Sequence, residues 1–181
     1  MHTVDLPRLP PELSTSRLIL RGHSIDDFED CAAMWGDRQV TRFIGGEPSN
    51  REQSWSRLLR YVGHWAMLGF GYWVIREKAT GRFVGEAGFA DFKRDIEASF
   101  GLAPEIGWVL APVAFGQGFA TEAATVALRW VDESLVSERT VCMIEPANAA
   151  SLRVAAKCGY REYARAERQG KEMILLERLQ S

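Results

Sequence analysis

Between Trp108 and Ala123 the chain reads WVLAPVAFGQGFATEA: an apolar run halted at Pro112, glycines at 116 and 118, then a helical pattern. Glycines at such positions remove side-chain obstruction and permit positive φ, so successive N–H groups can converge on one anion. A helix starting at once adds unsatisfied amides and the positive end of its dipole. The chemistry on offer is the binding of a diphosphate by backbone. A tight strand-to-helix turn without ligand satisfies the same spacing, so the two glycines alone leave both readings open. The third glycine of a dinucleotide-binding turn is missing, and no Gly-Lys-Ser/Thr follows as in a P-loop.

Other chemistry-bearing side chains are sparse. Cys31, Cys142 and Cys158 show no CxxC or metal-ligand spacing and read as small buried hydrophobes. His23 and His64 lack a matching partner at useful spacing, so no metal site is expected. Two glutamates sit in strand-like segments, Glu105 in EIGWVL and Glu86 in GEAG. A solvated or structural carboxylate is the ordinary fate of either, and Glu86 reads as structural. Glu105 is the stronger candidate base: period-two alternation puts it on one face with Gly107 and Val109, on the strand that enters the glycine turn.

The elements that must position these groups follow from local pattern. Arg17 to Arg21 reads as a first strand; Ser24 then caps a helix to Trp35, with Asp26 and Asp27 favourable in its first turn. Thr41 to Ser49, with Gly45-Gly46 and Pro48, reads as a mobile connection before a second helix, Asn50 to Leu68, stopped by Gly69. Tyr72 to Ile75 and Arg82 to Phe92 form a hairpin turning at Thr80-Gly81, and a polar loop near Lys93 to Ser99 leads to the strand Glu105 to Leu110. Gly118 to Glu133 is the clearest helix, with Ala120, Ala123, Ala124, Ala127, Leu128 and Val131 on one small-residue face. A strand at Thr140 to Glu145, a helix at Ala149 to Lys157 and a strand at Lys171 to Leu179 complete the chain. The order predicts one mixed α/β (α+β) domain over residues 13–181, with helices on both sides of a mainly antiparallel sheet and residues 1–12 as a tail.

Composition sets outer limits. The chain has 181 residues, 46% hydrophobic and 25% charged, with a formal net charge of −2. Its arginines are scattered, which argues against a phosphate-tracking nucleic-acid surface while allowing a local phosphate pocket. No apolar stretch is long enough to span a bilayer and the start lacks a signal-peptide core, so a cytoplasmic location is expected. A homodimer is left open.

Four segments in order, EIGWVL at 105–110, FGQGFATEA at 115–123, NAAS at 148–151 and KCGY at 157–160, resemble the GNAT superfamily of acetyl-CoA-dependent N-acetyltransferases. The branch most similar is the ribosomal-protein-alanine N-acetyltransferase type, whose first strand LSTSRLILR at 13–21 also resembles. The resemblance implies a sheet whose middle strands splay apart to admit CoA. Val109 and Leu110 would pair with the pantetheine amides like an added strand. Phe115, Gly116, Gln117, Gly118, Phe119, Ala120 and Thr121 would cradle the pyrophosphate, and Asn148 would bond the pantetheine arm. Val113 stands where relatives often carry Gln or Arg.

The same resemblance implies direct attack of an amine on the thioester. The amine must first lose a proton, the oxyanion needs a donor such as a strand N–H, and the leaving thiolate is best protonated. Glu105 would act as base, often through water. Many relatives place a Tyr four residues before the closing glycine; here that position is Ala155. Ser151 matches the branch's Asn-x-x-Ser motif and would support or protonate the sulfur, although bonding backbone at the helix start explains it equally well. Tyr160 reads as a core aromatic, and Trp55, Trp65, Trp73 and Trp108 as core or pocket walls. Trp35, Phe43 and Tyr61 would line the acceptor site. The implied function is acetylation of a primary amine, on a protein N-terminus or a small molecule, with acetyl-CoA as cosubstrate and no metal. The alternative is a domain that binds or senses acyl-CoA without turnover.

Overall fold

The computed structural model describes residues 9–96 and 100–180. Residues 1–8 of the expected tail and 97–99 of the expected polar loop lie outside the described residues. Eight strands form one sheet: β1 (Leu13–Ser14), β2 (Leu18–Arg21), β3 (Tyr72–Glu77), β4 (Phe83–Ala90), β5 (Glu105–Leu110), β6 (Arg139–Ile144), β7 (Arg161–Arg168) and β8 (Lys171–Leu179). Their order across the sheet is β1-β2-β3-β4-β5-β6-β8-β7. Five helices accompany them: α1 (Phe28–Trp35), α2 (Arg38–Thr41), α3 (Arg51–Leu68), α4 (Phe119–Ser134) and α5 (Ala149–Lys157).

Every neighbouring pair is antiparallel except β5 and β6, which run parallel and share one register point, Glu105 with Val141. There the Val141 N–H donates to Pro104 O at 3.1 Å. Each strand meanwhile pairs along its full length on its other side, β5 with β4 and β6 with β8. The sheet therefore divides beyond Glu105 into two wings.

The wings are held by helices of different character. On one face the small residues of α4 let it lie close to the sheet: Ala123, Ala124, Ala127 and Val131 are fully buried among Leu18, Leu20, Trp73, Phe89 and Ile106. On the other face Cys31, Met34 and Trp35 of α1 and Val40 of α2 pack on Val74, Phe83 and Val109, while Tyr61 of α3 packs on Tyr72 and Ala90.

Three departures from the sequence reading have physical causes. The first helix is preceded by a 3-10 turn, Ile25–Asp27, capped by Ser24, whose N–H donates to the buried Asp27 carboxylate at 2.8 Å. That carboxylate also receives Arg21 Nη1 and Nη2 at 2.8 and 2.7 Å and Arg76 Nη2 at 2.8 Å, locking the turn to β2 and β3. The short α2 falls before the expected connection Thr41 to Ser49, in residues to which the sequence assigns no element, its first turn capped by the Asp37 side chain bonding Gln39 N–H. Strand β7, REYARAER, was not anticipated: as an edge strand bonded only to β8 it carries charge throughout and shows no apolar alternation. At the start of the chain Pro11 O accepts the Trp73 indole N–H at 2.8 Å, so the segment before β1 is already tied to the core.

Burial alone would raise the pKa of Asp27, but the hydrogen bonds from Arg21 and Arg76 outweigh it and hold the carboxyl well below the carboxylate range. The folded state thus favours the charged form, so the contribution is full above the ordinary Asp pKa of about 4 and fades as pH falls through the acid range. Asp27→Ala, which removes the buried acceptor shared by Arg21 and Arg76, is expected to cost about 2 kcal/mol at neutral pH. Urea unfolding of both proteins at pH 7 and pH 3 checks this; the gap should narrow at the lower pH.

Candidate active site

The diverging wings open a cavity of about 540 Å³. Its walls are Trp108, Val109 and Leu110 of β5, the turn from Ala114 to Thr121, and Asn148, Ser151 and Val154 at the start of α5; Val40, Phe43 and Ile44 close it from the side of α2. The turn is built as its glycines require. Pro112–Ala114 forms a 3-10 turn, then Gly116 and Gly118 take φ of +74° and +79°, and Gly118 is the N-cap of α4.

Hydrogen bonding within the turn determines which amides are available. The Phe115 N–H is spent on Pro112 O at 3.1 Å, and the Glu122 N–H on Gly118 O at 3.1 Å. Among the described residues, nothing in the protein accepts the N–H groups of Gly116 to Thr121, and α4 has no side-chain cap. Unpaired amides gathered at a helix start favour an anion. Phe115, Gly116, Gly118, Phe119, Ala120 and Thr121 all line the cavity. Gln117 does not: its side chain turns back to Val113 O at 2.8 Å and its carbonyl accepts Arg17 Nη1 at 3.0 Å. Arg17 also pairs with Glu122 and lies over the Phe119 ring, so β2 braces the turn from behind.

Along β5 the backbone alternates. The Ala111 N–H donates to Val84 O at 2.9 Å, and from that bond antiparallel alternation directs the peptide groups of Val109 and Gly107 toward β4. Those of Leu110 and Trp108 face the opening. Leu110 and Trp108 therefore turn unpaired peptide groups toward the opening, while Val109 bonds β4 and packs its side chain on Val40 of α2 and the neighbouring core. Trp108 does more: its indole N–H donates to Ser151 Oγ at 3.3 Å, bridging the two wings. Its place two residues from the end of an apolar strand was the available signal, and an indole N–H that needs a partner was the reason to use it. Asn148 caps α5 by accepting the Ser151 N–H at 3.1 Å, so one of its oxygen's positions is already used.

Glu105 lies apart from this cavity, where the wings join. It is buried and held by Arg94 through two bonds, Nε to Oε2 at 2.5 Å and Nη2 to Oε1 at 2.7 Å. With Ala90, Phe92, Arg94 and Phe100 it borders a second cavity of about 280 Å³. Arg94 falls in an irregular loop, and nothing in the local sequence marked it as the partner of Glu105. Glu86 is fully buried on β4, accepting His23 Nε2 and Trp35 Nε1, each at 2.8 Å, and Cys31 Sγ at 3.2 Å. Burial opposes its charge, but these donors prevail and hold its carboxyl below the usual range. His23 therefore has a partner that its sequence surroundings did not reveal.

The ligand atoms of His23, Cys31 and Glu86 all lie within 4.8 Å of one another. They suit a metal poorly, since each already bonds within the group and burial, followed by the Glu86 charge, pushes the Cys31 thiol well above its normal pKa. Of the aromatic residues expected at the acceptor site, Phe43 lines the larger cavity, while Trp35 and Tyr61 are buried and border neither cavity. Ala155 is fully buried in the core, and Tyr160 bonds Thr140 through their hydroxyls at 2.5 Å, so neither reaches the opening.

The sheet thus parts between two parallel strands, with a turn of free amides at the mouth of the gap. The family model described as the acetyltransferase (GNAT) domain matches residues 17–161. The chain belongs to that family and is an acetyl-CoA-dependent acetyltransferase. It is 34% identical over 91 residues to YkkB of Bacillus subtilis, a match spanning about half of each chain. It is 27% identical over 143 residues to p20, an uncharacterized N-acetyltransferase of Bacillus licheniformis, covering 78% of both. A structure from Bordetella pertussis described as a GNAT-family acetyltransferase superposes with a TM-score of 0.82 at 32% identity, covering 93% of this chain and 99% of that one. No described helix is long and apolar enough to cross a membrane.

Gly118→Val should weaken CoA binding tenfold or more. A β-branched residue resists φ of +79°, and rearranging the turn would scatter its amides. Calorimetric titration with CoA, alongside a melting curve to confirm folding, measures it; full affinity in a folded variant contradicts the cradle.

Proposed function

We propose that the protein moves the acetyl group of acetyl-CoA directly onto a primary amine, with both substrates bound at once. The observation that carries this reading is the run of unpaired amides at Gly116 to Thr121, opening onto a gap lined by unpaired strand backbone. The amides suit the pyrophosphate of CoA, and the Leu110 and Trp108 peptide groups suit the amides of its pantetheine arm. Val109 and Asn148 contribute walls and, for Asn148, its remaining amide group. The same fold in a spermidine N-acetyltransferase of Vibrio cholerae, at 16% identity and a TM-score of 0.73, was solved with CoA and spermine.

The acceptor amine enters from the opposite side of β5, through the 280 Å³ cavity beside Glu105. Glu105 receives the proton that the ammonium must lose, directly or through a water, and Arg94 keeps that carboxylate in place. Nitrogen attacks the thioester carbonyl, the C–S bond breaks, and the sulfur is protonated as CoA leaves. Ser151 is placed to serve the sulfur: its Oγ accepts from Trp108 and retains a hydrogen to donate into the cavity. No enzyme nucleophile is needed. Peptide N-termini and small amines both satisfy this chemistry. Three free, buried cysteines and the use of acetyl-CoA suit a cytoplasmic setting.

Release of free CoA thiol in the presence of a panel of peptide and small amines tests the reading. Turnover on at least one amine is expected; CoA binding without release on any would replace it with a sensing role. Glu105→Gln should reduce kcat by about 100-fold with acetyl-CoA affinity held within twofold. A variant with wild-type kcat through the alkaline range removes Glu105 as base.

A further inference from the structure

The transfer reaction leaves one buried phenol unexplained. Tyr72 opens β3 on the face covered by α3, and its register partner on β4 is Gly88, which in turn faces Gly107 on β5. Gly88 lets the Gly71–Tyr72 backbone lie close against β4, and Gly107 leaves room for the phenol: a Cβ placed there would overlap the Tyr72 hydroxyl and approach its Cζ to 3.1 Å. A phenol rooted on β3 thus delivers its oxygen onto β5, two strands away, a span of about 9.6 Å between strand axes. Tyr61 holds it there, its ring parallel to within 4° and 4.3 Å away.

Gly107 is no ordinary point on β5. It lies two residues past Glu105, the single point where β5 still meets β6, and so at the vertex of the gap. An extended arm that begins at the amides of Gly116 to Thr121 and pairs with Leu110 and then Trp108 reaches Gly107 next. Gly107 also shares a face with Glu105 and Val109, the face from which the amine arrives.

We propose that the Tyr72 hydroxyl donates a hydrogen bond to the carbonyl oxygen of the acetyl group, and that this bond strengthens as the oxygen becomes an oxyanion. The assignment rests on the acetyl-transfer reading above. Chemistry selects the oxygen. An attacking amine needs its lone pair free, so a donor hydroxyl aimed at nitrogen would hinder attack, whereas one aimed at oxygen stabilises the charge that develops. Burial first, then the nearby Glu105 carboxylate, keep the phenol protonated far above its usual range, as a permanent donor requires. Among the described residues no other group bonds the hydroxyl. Tyr72 would thereby supply a polar side chain to a reaction centre whose α5 position is filled by Ala155.

Isotope-edited infrared spectra of [1-13C]acetyl-CoA bound to the protein test this without an acceptor. The wild-type carbonyl band should lie below that of free acetyl-CoA, and Tyr72→Phe should return it toward the free position. With a productive amine, the same variant should lose about 100-fold in kcat while KM for acetyl-CoA stays within twofold. Gly107→Ala, whose methyl must displace the hydroxyl, should reproduce both effects and add little in the Tyr72→Phe background. Bound acetyl-CoA with an identical band in wild type and Tyr72→Phe, or a variant kcat within twofold of wild type, overturns the assignment of Tyr72 alone. Independent losses that multiply in the double variant overturn it too. No binding of acetyl-CoA to the wild type overturns the acetyl-transfer reading and this assignment with it.

Discussion

Strands β5 and β6 meet at Glu105 and Val141 and then part, and the remaining architecture follows from what that parting leaves exposed. An unpaired strand edge inside a protein is costly unless something else bonds its peptide groups. Here each of the two strands has its other edge completely filled, so the peptide groups left unpaired are those facing the gap. A ligand with amides of its own can occupy the place of a missing strand. The turn beyond Leu110 extends the same logic from strand to helix, since Gly116 to Thr121 present N–H groups that no neighbouring carbonyl takes. Binding capacity is thus stored in unsatisfied backbone, and side chains mainly keep it open.

Arginine carries much of that bracing. Arg17 ties β2 to the start of α4 through Glu122 and the Gln117 carbonyl; Arg21 and Arg76 lock the Asp27 turn; Arg178 holds Asp132 of α4 to β8. Planar guanidinium groups can satisfy a carboxylate with two bonds and still bond elsewhere, which suits joints between elements. The partly exposed pairs of Arg17 with Glu122 and Arg178 with Asp132 add little to stability individually. Their value lies in geometry: the glycine turn keeps its shape because its back is tied down.

The two faces of β5 divide the work. Backbone of Leu110 and Trp108 looks into the gap, while Glu105, Gly107 and Val109 look toward the helices α1 to α3. Two buried glutamates on that side have different surroundings. Glu86 is enclosed by three donors that consume its capacity, which suits a structural role. Glu105 has a single partner, Arg94, and borders a cavity. Gly107, through absence of a side chain, makes room for the hydroxyl of a phenol that comes from β3.

Much of this was legible in the chain alone. Amphipathic spacing placed α3, α4 and α5 within a residue or two, because local periodicity reports which face is buried. The glycines at 116 and 118 announced their positive φ, since few other residues tolerate it without strain. What local pattern could not supply was any relation between residues distant in sequence. Asp27 with Arg76, Glu86 with His23, Glu105 with Arg94 and Tyr72 with Gly107 are separated by stretches that carry no record of the pairing. The choice of Trp108 over Val109 at the gap likewise depends on the β4 register, and β7 escaped notice because an edge strand needs no apolar alternation. Sequence decided the elements and the anion-binding turn, both governed by short-range sterics and hydrogen bonding. Tertiary structure decided which side chains share a site, because that depends on strand register and sheet order.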